Sequence, residues 1–196
     1  SIDRRGMPGP IFETGDRVTL RTAEDEDAEF LATHSNDPRI RDPMTLVGPT
    51  NLDEQREHIG DDGDGAQFLV CVEGDAAGYD ERFVEDGVEP IGFVIFFHVN
   101  ERAGNGEVAY WLSPAAHGEG YSKEAVSLVL DYAFESRRLH RMEARALETN
   151  EASRGLLESL GFREEGVSRD AKFVRGEYVD VHDYGLLADE WLDGDA

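Results

Sequence analysis

The residues whose types and spacing could do chemistry gather in residues 111–162. A glycine loop, His117-Gly118-Glu119-Gly120-Tyr121-Ser122, opens directly into an apolar helical pattern that starts at Gly120. Gly118 and Gly120 lack a Cβ, so the backbone there can bend sharply and another molecule can approach it closely. A helix N-terminus adds unpaired N–H groups and a positive dipole end, so such a loop can hold phosphate oxygens without a lysine. A plain tight turn is the alternative reading. No Gly-Lys-Ser/Thr follows, which excludes a Walker loop, and the third glycine of a dinucleotide fingerprint is missing. Further on, Asn150 and Ser153 stand three residues apart at the head of a short helix. Asn150 can cap that helix, and Ser153 is either a solvent-facing hydroxyl or a donor to something bound.

These groups need a scaffold, and hydrophobic periodicity outlines one. Residues 1–15 read as an irregular arm, and residues 17–21 alternate as a first strand. Thr22 with Asp25 resembles a capping box for a helix running to about Ser35, which Asn36-Asp37-Pro38 stops. Residues 39–49 look loop-like, and Thr50 with Asp53 offers a cap for a short helix to Ile59. Residues 67–73 and 91–99 are apolar runs of strand length, read as neighbouring buried strands joined by a long exposed connection. Residues 107–112 form the next strand, with Glu107, Ala109 and Trp111 on one face and Val108, Tyr110 and Leu112 on the other. The helix from Gly120 carries Ala125, Val126, Leu128, Val129, Leu130, Ala133 and Phe134, so it should lie buried against a sheet. Residues 142–147 read as a strand, Gly161 ends the helix that Asn150 starts, and residues 162–174 and 177–187 form a hairpin about Arg175-Gly176. Residues 188–196 look like a frayed acidic tail. The run at residues 61–65 (DDGDG) lacks a full calcium-loop pattern ending in glutamate and reads as a solvated turn. Residues 16–187 thus make a single α/β (α+β) domain.

Charge is the extreme feature of the composition. The 196 residues carry 43 acidic and 19 basic side chains, a net charge of −24, and only Lys123 and Lys172 are lysines. Such a chain repels nucleic acid and anionic membrane surfaces. A hydrophobic content of 39% argues for a packed globule inside the acidic shell. Residues 110–163 hold seven basic and eight acidic residues, a net −1, so the rest carries −23 and the chemical stretch is locally neutral. Cys71 is the single cysteine, which excludes an intramolecular disulfide and a cysteine zinc site, and its apolar surroundings mark it as a buried small hydrophobe. No metal site is apparent. Neither an 18-residue apolar segment nor a signal-peptide pattern is present, so a soluble, cytoplasmic protein is expected.

Taken together, residues 111–162 resemble the GNAT superfamily of acetyl-CoA-dependent N-acetyltransferases. The family's pyrophosphate loop, Gln/Arg-x-x-Gly-x-Gly/Ala, is met by His117, Gly120 and Ser122, where the central glycine agrees and the other two depart. Asn150, Ser153 and Leu160-Gly161-Phe162 follow its second signature. Gly-Tyr-x-x-Glu-Ala at residues 120–125 points to the ribosomal-protein N-terminal acetyltransferase (RimJ/RimL-like) branch. The resemblance implies a mixed sheet of about seven strands flanked by about four helices, with a splayed strand pair holding the cofactor and the two early helices and their connection forming one wall of the acceptor cleft. It implies backbone contacts from Trp111 or Leu112 to the acetyl group and pantetheine, pyrophosphate held by His117, Gly118, Glu119, Gly120, Tyr121, Ser122 and Lys123, and pantetheine bonded by Asn150. Ser153 would donate to the leaving sulfur. The tyrosine that many members place one turn later is Leu157 here, which shifts weight onto Ser153. Glu107 occupies a position where several members carry an acid, and either it or a water chain would take the proton. Tyr178, Asp180 and His182 alternate on the last strand and are candidates for the acceptor side.

The implied partners are acetyl-CoA and an amine, most simply a protein or peptide N-terminal α-amine, in a monomer or homodimer. A small-molecule amine of polyamine or antibiotic type, or a non-catalytic acyl-CoA sensor, are the alternatives. Glutamate and aspartate without lysine form the surface of a protein that stays soluble in concentrated salt, as in a halophile's cytoplasm. In molar salt the screening length falls to about 3 Å, so only nearby charges act on a polyanion such as CoA. Refolding should therefore be cooperative in molar salt and impaired without it, read by far-UV circular dichroism; full stability in dilute buffer would contradict the expectation.

Overall fold

The apolar runs pair into one eight-stranded sheet in the computed structural model, which describes residues 8–61 and 63–194. The spatial order is β1 (Ile11–Thr14), β2 (Thr19–Thr22), β3 (Ala66–Glu73), β4 (Val88–Asn100), β5 (Asn105–Leu112), β6 (Arg141–Leu147), β8 (Glu177–Leu187) and β7 (Arg163–Val174). All neighbours are antiparallel except β5 and β6, which run parallel. The extra strand relative to expectation is β1, inside the stretch read as an irregular arm. Its residues are all exposed, so it carries no alternation to read, and Phe12 is held by stacking on Phe68 at 4.7 Å.

Successive side chains of a strand point to opposite faces, and each face of this sheet has its own helices. On one face α1 (Ala28–Ser35) and α2 (Pro38–Arg41) bring Phe30, Leu31 and Ile40 onto Leu69, Cys71 and Trp111. Helix α3 (Leu52–His58) buries no residue. On the other face α4 (Tyr121–Asp131), its π-helical extension Tyr132–Ser136 and α5 (Glu151–Ser159) cover Phe68, Val70, Val108, Met142 and Ala144. A last helix, α6 (Ala188–Leu192), replaces the expected frayed tail; Trp191 Nε1 donates to Asp131 Oδ1 at 2.8 Å and ties it to α4. Cys71 is fully buried, and burial raises its thiol pKa, in keeping with a packing role.

Two expected caps are displaced for local reasons. Thr22 is held extended by its pairing with Phe68, so the capping box closes between Glu24 and Asp27 instead, and a 3-10 turn precedes α1. Thr50 is tied through its backbone to the Asn36 side chain, and Asn51 caps α3 by accepting from the N–H groups of Asp53 and Glu54. Asp62 of the acidic run at residues 61–65 lies outside the described residues, as do the first seven residues of the arm and the last two of the tail; among the described residues no group of His, Cys, Asp and Glu could hold a metal ion. No helix among them is long and apolar enough to cross a membrane.

The connection between β3 and β4, expected to be exposed, is anchored from below. Glu89 is 1% exposed and accepts hydrogen bonds from the backbone N–H groups of Gly78, Tyr79 and Asp80, while Phe83 packs edge-on against Phe30. Tyr79 in turn meets the Tyr121 hydroxyl at the start of α4, at 3.4 Å. Glu89→Ala leaves these donors without their acceptor, and at about 1–3 kcal/mol for a buried group left unpaired the variant should lose about 3 kcal/mol of stability in urea unfolding. An unchanged midpoint would show that water replaces the carboxylate.

Candidate active site

The site forms where two strands part. Parallel pairing of β5 with β6 covers Asn105↔Arg141, Gly106↔Met142 and Glu107↔Glu143 and then stops. Beyond it β5 stays with β4 as far as Leu112, and β6 stays with β8 as far as Leu147, so a V opens between them. The Ser113 N–H donates to the Ile91 carbonyl at 2.7 Å. Antiparallel alternation therefore turns the backbone groups of Trp111 toward β4 and leaves those of Tyr110 and Leu112 facing the opening. Of the two backbone candidates, Leu112 is the one presented; Trp111 contributes its ring, stacked between Phe30, His34 and Phe93 on the α1–α2 face.

The glycine loop closes the wide end. Gly118 and Gly120 have φ of 86° and 83°, left-handed values that other residues adopt only with strain, and Gly120 is the N-cap of α4. His117, Gly118, Gly120, Tyr121 and Ser122 line a cavity of about 380 Å³ with Leu112 and Tyr110, whereas Glu119 and Lys123 lie outside its wall. His117 fills the loop, since its Nε2 donates to the Leu112 carbonyl at 3.0 Å. The cation near the loop is one the sequence did not announce. Arg17 donates through Nη1 to the Glu119 carbonyl at 2.7 Å, pairs with Glu124 at 3.1 Å, and lies 5.1 Å over the Tyr121 ring.

At the throat of the V, Asn150 caps α5, its Oδ1 accepting from the Ser153 N–H at 3.2 Å, and both residues line the cavity. Ser153 Oγ shares a 2.9 Å hydrogen bond with the Tyr110 hydroxyl. Tyr110 was placed by the alternation of β5 but not assigned a role. Its ring rests against the core, and burial pushes the phenol up to about 12, against a smaller opposing effect of the Ser153 bond, so it is protonated at neutral pH. Leu157 is 0% exposed and packs the core, so a tyrosine hydroxyl reaches Ser153 from the strand rather than from the helix.

Glu107 does not line the cavity. Its two oxygens take Arg145 Nε and Nη2 at 2.9 and 2.8 Å, and His98 Nδ1 lies 3.0 Å from Oε2. Burial pulls its pKa up, but the hydrogen bonds and charges of Arg145 and His98 together outweigh that and leave it below the ordinary carboxylate value. A general base works best near the ambient pH, so this geometry makes Glu107 an anchor for Arg145 instead. Tyr178, Asp180 and His182 also stand away from the cavity: Tyr178 is exposed, Asp180 accepts from the Asp170 N–H, and His182 bonds Glu164. On the face that α1 and α2 cover, the cavity is walled by Arg39, Ile40, Pro43 and Met44 from α2 and the turn after it.

A family model described as an acetyltransferase (GNAT) domain matches residues 17–163. The chain belongs to the GNAT acetyltransferase family. Among relatives of this GNAT chain, an uncharacterized N-acetyltransferase p20 of Bacillus licheniformis is 33% identical, with 90% of this chain and 96% of that protein covered. A Bacillus subtilis (strain 168) protein named "Putative ribosomal N-acetyltransferase YdaF" is 30% identical over 91% of this chain and 96% of its own length. Among solved structures, spermidine N-acetyltransferase from Vibrio cholerae in complex with CoA and spermine superimposes with a TM-score of 0.78 at 25% identity, covering 91% of this chain and 99% of that one. The protein is thus a GNAT-type N-acetyltransferase that uses acetyl-CoA, and its V-shaped opening with the glycine loop at one end fits that cosubstrate.

Ser153→Ala should lower kcat by about 100-fold with little change in acetyl-CoA affinity, and Tyr110→Phe, which leaves Ser153 Oγ without its partner, by about tenfold. Unchanged turnover in steady-state kinetics would remove both residues from the reaction. Because the Glu107 pKa is lowered, the group is ionised throughout pH 6–9 and contributes no limb there. Wild type and Glu107→Gln should share the same pH profile in that window.

Proposed function

We propose that this GNAT enzyme transfers the acetyl group directly from acetyl-CoA to an N-terminal α-amine of a protein or peptide, in the manner of the RimJ/RimL-like branch. The observation that supports the transfer step is the Tyr110–Ser153 pair at the throat of the opening between β5 and β6, and the likeness to the putative ribosomal N-acetyltransferase of Bacillus subtilis supports the peptide acceptor. The pyrophosphate lies on the N-terminus of α4 within the loop of Gly118, Gly120 and Ser122, where N–H groups and the helix dipole favour an anion. Pantetheine runs down the V beside Asn150. The Leu112 N–H polarises the thioester carbonyl, and its hydrogen bond strengthens as negative charge collects on that oxygen.

The amine enters from the α2 side in its neutral form. Its nitrogen forms the bond to the acetyl carbon, the carbon–sulfur bond breaks, and the electron pair leaves on the CoA sulfur. Ser153 Oγ–H, held by its hydrogen bond to the Tyr110 hydroxyl, donates a hydrogen bond to that sulfur; the proton lost by the amine passes to water, and water returns one to the CoA thiolate, so Ser153 and Tyr110 keep their own protons. The local neutrality of residues 110–163 supports binding of a polyanion within an otherwise acidic protein. The shortage of lysine supports a cytoplasm rich in salt as the working environment.

A peptide panel with varied N-termini, followed by release of free CoA thiol, tests the reading. Acceptor-dependent thiol with at least one peptide is the expected result, and tight acetyl-CoA binding with no acceptor-dependent thiol would make the protein a sensor.

A further inference from the structure

The acceptor half of the cavity has a charge pattern opposite to that of the chain. The protein carries 43 acidic residues against 19 Lys and Arg, yet among the described residues no Asp or Glu lines the cavity, and Arg39 and Arg145 do. Both belong to the acceptor face. Met142, Ala144 and Ala146 of β6 pack in the core under α4, so alternation places Arg145 on the opposite face, the one that α1 and α2 cover. Arg39 stands beside Ile40, which packs in the cluster with Trp111.

Each guanidinium is held along one edge by a carboxylate outside the cavity wall. Glu107, whose side chain is 10% exposed, takes Nε and Nη2 of Arg145. Asp37 caps α2 and takes Nε and Nη2 of Arg39, the latter at 2.6 Å. The Nη1 donors of both arginines have no protein partner among the described residues. Anchoring of this kind removes much of the ordering cost of a long side chain while leaving planar donors free for an anion. The wall that carries Arg39 is itself tethered, because Arg175 at the tip of the β7–β8 hairpin bonds Asp42 just after α2. The same cavity wall includes the apolar residues Ile40, Pro43 and Met44.

We infer that the acceptor is an amine bearing a carboxylate within a few bonds of its nitrogen, beside an apolar side chain, and that a polycation is excluded. The inference rests on the acetyltransferase reading above and names the substrate class of that site. Two sources share the chemistry, a free apolar α-amino acid and a peptide with an apolar first residue and an acidic second one. In either, the amine faces the thioester while the carboxylate meets the free Nη1 donors. A polyamine would set its remaining ammonium groups against two arginines with no carboxylate in the wall to receive them, an arrangement that costs both like-charge repulsion and desolvation.

The test measures kcat/KM, per concentration of unprotonated amine, for leucine, leucinamide, leucyl-aspartate, leucyl-asparagine and spermidine with the full chain and acetyl-CoA. A carboxylate on charged donors should favour at least one acid over its amide by about tenfold or more, with spermidine below all four. Leucine over leucinamide identifies a free amino acid; leucyl-aspartate over leucyl-asparagine identifies a peptide. Arg39→Gln, at an exposed position of α2, should compress that ratio toward one while acetyl-CoA binding by calorimetry is retained, and Arg145→Lys, which keeps a cation beside Glu107 but gives up the free Nη1 donor, should compress it in part. Equal rates for acid and amide, or spermidine as the best acceptor, would overturn the inference and leave the transferase reading standing. No thiol release with any amine would sink both.

Discussion

The ion pair between Glu107 and Arg145 sits where β5 and β6 cease to be neighbours, and the site depends on it. Glu107 is the last residue of β5 to pair with β6, and Arg145 lies two residues past its partner on the diverging strand. A carboxylate buried to this extent is costly unless paired, and two hydrogen bonds from one guanidinium supply the partner. The pair thereby clamps the apex of the V, below which the strands hydrogen-bond to each other and above which their backbone groups are free for a ligand. It also divides the chemistry by face. Tyr110, Ser153 and Asn150 lie toward α4 and α5, while Trp111 and Arg145 lie on the face that α1 and α2 cover.

Much of the glycine-loop side of the cavity was legible as structure because it is built from contiguous motifs. Gly118 and Gly120 declared a turn and a helix start, Asn150 declared a cap, and the alternation of residues 107–112 placed Tyr110 and Trp111 on opposite faces. What stayed hidden depends on residues far apart in the chain. Tyr110 meets Ser153 across 43 positions, and Arg17 reaches the glycine loop across 102. Glu107 resembled a base because nothing local announces Arg145, 38 residues away. The wall expected from the early helices and their connection was not read residue by residue for another reason: α2 has four residues, too short for a helical period, and its start is set by Asp37 and Pro38, which read equally well as the end of α1.

The arginine-rich, lysine-poor basic set suits this architecture. Arg141 bonds Glu143 and Glu165, Arg145 bonds Glu107, and Arg21 links β2 to Glu73 on β3, each using the guanidinium fork to bridge strands. Most such pairs are at the surface and individually add little to stability. Their effect is positional. In a protein of such high negative charge they cancel repulsion where strands must run close, leaving the excess acid on exposed surfaces.

The short contact between β5 and β6 has a mechanical consequence. Strands β1 to β5 form one half of the sheet and β6 to β8 the other, and only three registered residue pairs stitch the seam, against seven between β6 and β8. A molecule lying in the V with hydrogen-bonding groups along its length takes the place of the missing stretch of strand. With acetyl-CoA placed in the V as proposed, the cosubstrate becomes part of the tertiary structure: loading it should quiet the relative breathing of the two half-sheets, and losing CoA after transfer should restore it, so that the turnover cycle and the rigidity of the fold rise and fall together.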